Sequence, residues 1–271
     1  MGKGAALMIA TLRPALRPAA NLAFVVVSLL VAWTVLLQVS DVSPLVTRRP
    51  AEVLDYLFGT PDAAEHRRAV LAPLRQTLLD AGIGFVAGLA AASAVATATY
   101  LSKGVEAATM PAAMVVRTIP LVALAPIITL VFGNGFATVA VMSGIVVFFP
   151  ALVTISFGLR SLSAQMEDVI RVYGGTTSDV LLRAAYPSAL PSVFAAIRVS
   201  VPGAITGALI AEFFTTPPSI GKAVNEALAV YQFDLVWALL VVTTLTSVLL
   251  YIAAQLVERL TMNALGLAPE S

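Results

Sequence analysis

"QMEDVIRVYGGTTSDVLLRAAYPSALP", residues 165–191, gathers Glu167, Asp168, Arg171, Asp179 and Arg183 into one short segment, divides them at Gly174-Gly175 and closes on Pro187 and Pro191. On either side the chain is oily. Residues Ser163 to Tyr173 read as one short helix that ends at Gly174-Gly175, a pair that readily supplies left-handed backbone at a C-cap. Thr176 then fits an N-cap, and Asp179 three residues on completes a pattern resembling a capping box. A second helix is predicted through Val180-Leu181-Leu182 and Ala184-Ala185, to stop or kink at Pro187, whose ring cannot continue a regular helix. Local chemistry therefore writes two short helices with a corner between them. On that chemistry alone, an amphipathic hairpin lying on a membrane, with Arg171 and Arg183 near lipid phosphates, is an equally good reading.

The rest of the chain supplies the setting. Its 271 residues are 59% hydrophobic and 11% charged, with a mean hydropathy of +0.94. Soluble domains carry roughly 25% charged residues, so this chain cannot clothe a water-facing surface and reads as an integral membrane protein. The net charge of +1 offers no field for nucleic acid, and the absence of cysteine removes disulfides, thiolate metal sites and cysteine nucleophiles together. The single histidine, His66, stands among Glu65, Arg67 and Arg68 and is expected to be a solvated loop residue. No metal site is expected.

A bilayer core about 30 Å thick takes roughly 20 apolar residues as a helix. Segments near 21–39, 76–100, 107–131, 136–158, 188–212 and 235–257 meet that length. Continuous apolarity, rather than alternation over short strands, selects helices over a barrel. The fold class is all-α: a polytopic helical bundle of about six transmembrane helices in a single domain, 1–271. Within it, 21–75 holds the first span and an outer connection, and 76–260 the core, with the opening stretch inside the loop 159–187. Lys3, Arg13 and Arg17 before the first apolar run imitate a secretory signal, but no small-residue cleavage site follows, so the run is expected to stay as a span. Placing both termini inside puts Lys3, Arg13, Arg17, Lys103, Arg160, Arg171, Arg183 and Arg259 on the cytoplasmic side. Arg48, Arg49, Arg67, Arg68, Arg75 and Lys222 then fall outside, a slight positive-inside bias.

The spans are rich in Gly, Ala, Ser and Thr, as in "AGIGFVAGLAAASAVATATY" (81–100), which lets helix backbones approach closely. Pro120, Pro126, Pro150 and Pro202 lie in or beside spans, where neighbouring helices or cavity water must satisfy the freed carbonyls. Both a tightly packed bundle and one that rearranges around a path fit these features. Charge at a helix centre is expensive, so Asp80, Arg117, Arg198 and Glu212 must sit near span ends, pair or face a cavity. Asp80 and Glu212 are expected near the interface, and Arg117 and Arg198 to snorkel toward it. Arg117, Pro120, Arg198 and Glu212 are the candidates for a pathway or gate. No Walker-type phosphate loop occurs; "VFGNGFATV" (131–139) has two glycines but no following lysine and reads as a turn. No pair of carboxylates stands at catalytic spacing on one helix, and no enzyme activity is expected of this chain.

The pattern Asp168-Val-Ile-Arg-Val-Tyr-Gly174, with Pro187 thirteen residues after the glycine, resembles the cytoplasmic signature of ABC-importer permeases. That signature begins Glu-Ala-Ala, places a glycine four residues after the second alanine and ends Leu-Pro. "VVRTIPLVALAPIITLVFGNG", "VVFFPALVTISFGLRSL", "YPSALPSVFAAIRVSV" and "GALIAEFF" are similar to the branch that includes nitrate, sulfonate and taurine permeases, over about residues 74 to 260. The chain departs from the pattern at Asp168 (usually Glu), at Val169-Ile170 (usually two alanines), at Tyr186 (usually apolar) and at Ser219-Ile220-Gly221, near where many relatives show Gly-Leu-Gly.

The resemblance implies a type I ABC-importer permease fold in a bacterial plasma (inner) membrane, with two permease subunits forming a pore, as a homodimer or with a sister permease. It implies a cytoplasmic ABC ATPase dimer that binds ATP-Mg, no cofactor on this chain, and an extracytoplasmic solute-binding protein. Asp168, Val169, Ile170, Arg171, Gly174, Gly175 and Pro187 would form the ATPase-coupling site. Asp168 would pair with a basic residue of the ATPase, Gly174 would set the corner, and Val169-Ile170 would fill the groove. The rival readings are a secondary carrier, which predicts an inverted repeat and grouped midplane acids, and a non-transporting membrane scaffold that uses the charged loop only for docking.

Overall fold

A computed structural model describes residues 27–39, 43–214 and 218–266, which form helices and no strand. Lys3, Arg13, Arg17 and the start of the first expected span lie outside the described residues. In chain order the helices are α1 (Val27–Val39), α2 (Pro50–Phe58), α3 (Ala63–Leu101), α4 (Lys103–Arg117), α5 (Leu121–Phe132), α6 (Phe136–Leu159), α7 (Ala164–Val172) and α8 (Thr177–Val180). A π-helical turn at Leu181–Ala185 then leads into α9 (Tyr186–Glu212), followed by α10 (Ile220–Ala229) and α11 (Phe233–Ala264). Four stretches are long and apolar enough to cross a membrane: α3, α6, the continuous run Thr177–Glu212, and α11. The bent pair α4–α5 makes a fifth, and α1 is a shorter apolar helix.

The core is α6 laid between α3 and α9. Its sequence reason is the small-residue face of α3, where Gly84, Gly88, Ala92 and Ala96 recur at helical spacing and are buried. A Cβ on Gly88 would stand 2.5 Å from the Gly144 carbonyl oxygen of α6, so only glycine permits this approach. Ser143, fully buried in α6, donates to the Ala204 carbonyl of α9 at 3.0 Å and approaches the Ala81 carbonyl of α3 at 3.3 Å. One hydroxyl thus touches all three helices where lipid supplies no hydrophobic drive. At one end Trp33 of α1 stacks on Trp237 of α11, centroids 5.2 Å apart, and the Trp237 indole donates to the Val46 carbonyl at 2.8 Å.

Three expectations are corrected. The span near 107–131 is not one helix: α4 and α5 meet at 105°. Pro120 pushes Ile119 out of the helical region, and the Thr118 hydroxyl donates to the Val115 carbonyl at 2.7 Å where α4 ends. His66 is no loop residue. It lies within α3 and stacks on Tyr56 at 3.9 Å, and its Nδ1–H donates to the Tyr56 carbonyl at 2.8 Å. Asp80 and Glu212, expected near span ends, are fully buried among the helices, and Glu212 is the last residue of α9. The helix through Val180 does not stop at Pro187. The Tyr186 N–H reaches back to the Leu181 carbonyl in the π turn, and this widening accommodates a proline ring that would clash with the carbonyl four residues earlier in a regular helix.

Candidate functional site

The loop between α6 and α9 is a rigid corner built from local bonds. Ser163 caps α7, its hydroxyl accepting from the Met166 N–H. At the other end the Gly174 N–H donates to the Arg171 carbonyl and the Gly175 N–H to the Ile170 carbonyl, both at 2.9 Å. This is the paired-bond arrangement of a Schellman cap. The two glycines serve different needs. Gly174 adopts φ +83°, a left-handed conformation costly for any residue with a Cβ. Gly175 is needed for space, because a Cβ there would meet Ile170 Cγ2 at 2.5 Å and the Ile170 carbonyl oxygen at 2.8 Å. Beyond the corner, Thr176 and Asp179 form the predicted capping box: the Thr176 N–H donates to Asp179 Oδ2 at 2.9 Å and the Asp179 N–H to Thr176 Oγ1 at 3.3 Å.

α7 buries none of its residues. Met166, Val169, Val172 and Tyr173 are exposed, Val172 at 83% and Tyr173 at 88%, which leaves an apolar face that no described residue covers. The charges sort cleanly. Arg171 is held by Glu167 one turn back, Nη2 to Oε1 at 2.6 Å, and Arg183 by Asp179 at 3.3 Å. Asp168 is exposed and makes no ion pair with a described residue. Val169 points out, whereas Ile170 lies half-buried over Gly175. Pro187 follows directly on the π turn, inside the continuous run Thr177–Glu212.

The other charged candidates lie elsewhere in the bundle. Arg198 of α9 pairs with Glu258 of α11, Nη1 to Oε2 at 3.0 Å, with both side chains mostly buried. Glu212, the last residue of α9, accepts on Oε2 from Thr77 Oγ1 at 3.0 Å and from the Gly221 N–H at 2.9 Å. Arg117 is exposed at the end of α4, and Pro120 caps α5, so both sit at the α4–α5 break. The structure therefore brings Arg117 and Pro120 together, keeps Arg198 and Glu212 on separate turns of α9, and gathers the coupling candidates at the opposite end of that helix. Asp80 accepts from the Gln76 amide at 2.7 Å.

The sequence profile of binding-protein-dependent transport system inner membrane components matches residues 84–263. The chain belongs to that family. This permease is similar to a "probable ABC transporter permease protein" of Haemophilus influenzae, 28% identical over 201 residues, 72% of this chain and 82% of the relative. It is similar to the riboflavin transport system permease protein of Chloroflexus aurantiacus, 30% identical over 155 residues, 57% and 58% of the two chains. The formylaminopyrimidine transport permease protein of Halalkalibacterium halodurans is 27% identical over 187 residues, 69% of this chain and 75% of that one. The resemblance read from the motifs and the all-helical bundle are both borne out, and this is a multi-pass ABC transporter permease.

The matched region takes in the whole corner, the α4–α5 break, Arg198 and Glu212 of the permease, and leaves out α1 and α2. Sequence reasoning missed Glu258, Thr77 and Thr97 as partners. Each joins a residue 60 or more positions away, 60 for Arg198–Glu258, 135 for Thr77–Glu212 and 89 for Thr97–Tyr186. No local pattern announces such pairs. Tyr186 did carry a signal, as a polar residue where the family pattern is apolar.

Proposed function

We propose that this permease is the transmembrane subunit of an ATP-driven importer of a small organic or anionic solute, such as a sulfonate, nitrate or a vitamin precursor. It forms the solute path with a second permease subunit, receives solute from an extracytoplasmic binding protein and lies in the bacterial inner membrane with both termini cytoplasmic. ATP-Mg is bound and hydrolysed by a separate cytoplasmic ATPase dimer. The observation that carries this reading is α7, capped at both ends, with Met166, Val169, Val172 and Tyr173 exposed and Asp168 uncommitted. An apolar helix face set in polar surroundings and rigidly cornered suits insertion into a groove. Asp168 then pairs with a basic group of the ATPase, and closure of the ATPase dimer draws α7 inward and reshapes the bundle.

The test is reconstitution of the complex from native membranes into vesicles. ATP-Mg inside the coupling compartment should drive uptake, and Gly174→Val should leave the proteins assembled in the membrane while separating ATP hydrolysis from uptake. Uptake that follows an ion gradient and ignores ATP would sink the reading in favour of a secondary carrier. Gly174→Val with unchanged coupling would remove α7 from the mechanism.

A further inference from the structure

α7 has no fully buried residue, so its own packing against the bundle is slight. The first buried side chains after the corner are Val180, Leu181, Ala184 and Ala185, all apolar. Apolar contacts are non-directional and let one element slide over another. Among the described residues, the first side-chain hydrogen bond from this run to another helix joins the Tyr186 hydroxyl to Thr97 Oγ1 of α3. The Thr97 hydroxyl proton is already given to the Ser93 carbonyl at 2.8 Å. The phenol is therefore the donor, and Thr97 does not need it for its own satisfaction.

Tyr186 also stands at a mechanical junction. It closes the π turn with its N–H on the Leu181 carbonyl, and it is followed by Pro187, which has no N–H to give. A π turn is a rare, wider interruption of an α-helix, and such turns are frequent at functional sites. The Tyr186 ring packs on the cluster that includes Ala92, Ala96, Leu159 and Ala189, between α3, α6 and α9. Two residues beyond Thr97, the Thr99 carbonyl accepts from Arg160 Nη2 at 3.1 Å, and Arg160 also pairs with Glu106 of α4 at 2.7 Å. Thr97 thus belongs to an end of α3 that is tied to α4 and α6.

We propose that Tyr186 is a positioning residue for transport: its hydroxyl on Thr97 makes α3 follow the corner, so that one displacement of α7 moves α9 through the backbone and α3 through the phenol. This rests on the ATPase-coupling reading above. The π turn supplies the give, and the hydrogen bond supplies the direction. Without the bond, the corner and α9 still move, and α3 lags behind.

The chain has no cysteine, so paired labels are clean. Gln165→Cys on α7, off the apolar face, and Leu101→Cys at the end of α3, spin-labelled in the purified complex with its ATPase in nanodiscs, report both movements under ATP-Mg with vanadate and without nucleotide. Each is measured against a third label on α11. In the native background both labels should shift. Tyr186→Phe and Thr97→Val should keep the α7 shift and reduce the population with α3 displaced about fivefold, the factor that corresponds to one neutral hydrogen bond. Thr97→Ser, which retains the hydroxyl, should restore it, and the double variant should be no worse than either single one. Equal α3 shifts in Tyr186→Phe and the native background overturn the proposal while leaving the ATPase-coupling reading intact. No α7 shift with nucleotide in the native background overturns that reading and this proposal together.

Discussion

Thr77 and Glu212 meet across 135 residues of sequence at a distance of 3.0 Å, both with no exposed surface. The same Thr77 oxygen accepts from the Ile220 N–H at 3.0 Å, and the same Glu212 oxygen accepts from the Gly221 N–H at 2.9 Å. The first turn of α10 is therefore pinned to α3 and α9 by one hydroxyl and one carboxylate. Gly221 completes the fit, since a Cβ there would stand 2.6 Å from Glu212 Cβ and from the Leu209 carbonyl oxygen.

Thr77→Val keeps the shape and removes both roles of the hydroxyl. It should lower stability by about 1–3 kcal/mol, the penalty of a buried polar group left unmade. Thr77→Ser should stay near the native value. Thermal unfolding of the purified permease in detergent reads the difference, and an unchanged Tm for Thr77→Val would show that the carboxylate and the Ile220 N–H find other partners.

Gly174 and Gly175 should fail differently. At Gly174 the demand is a left-handed backbone, so Gly174→Asn should be milder than Gly174→Ala, which costs about 1–2 kcal/mol. At Gly175 the demand is space, so Gly175→Asn should be no better than Gly175→Ala, and Ile170→Ala should partly relieve either. The measurement is ATPase binding and ATP hydrolysis by the purified complex. Identical rankings at the two positions would contradict the separate roles.

Arg198 and Glu258 are mutually neutralising in a mostly buried setting. Replacing one partner, as in Arg198→Met or Glu258→Gln, should destabilise by about 3 kcal/mol, because a buried charge is left unpaired. The double replacement should recover much of that loss. Additive losses in a double-mutant cycle on Tm would show that the pair is not coupled.

Two glycines on α3 provide an internal control for close helix packing. Gly88 has the α6 backbone within 3.0 Å of an added Cβ, while Gly82 has nothing within 4 Å. Gly88→Ala should force α3 and α6 apart and lower Tm. Gly82→Ala should be neutral or should stabilise by up to about 1 kcal/mol through helix propensity. Equal effects of the two would argue against backbone contact at Gly88.

The features that were legible early are the ones written in neighbouring residues. The Gly174-Gly175 corner, the Thr176–Asp179 box and the apolar runs of α3, α6, α9 and α11 each depend on residues close in sequence, and each lies where the residues predicted. The partners of the buried acids were not legible because hydropathy sees only average polarity along a helix. It cannot see that Glu212 has a hydroxyl and a backbone N–H waiting for it on two other elements. His66 was misplaced for a related reason: its neighbours are charged, but its ring finds Tyr56 across a turn. Pro187 was read as a place to stop or kink because a regular helix cannot hold its ring, and the π turn before it lets the run continue.

By itself, the order of residues determined that this chain is a bundle of membrane helices with a capped, glycine-cornered lever between two of them. Those outcomes follow from burial of apolar area and from hydrogen bonds closed within one turn. Only the tertiary structure decided that Thr77 and Glu212 anchor α10, and that Tyr186 reaches Thr97. Such contacts join helices that are distant in sequence, and their geometry is set by how closely the small-residue faces of α3, α6 and α9 allow the backbones to approach.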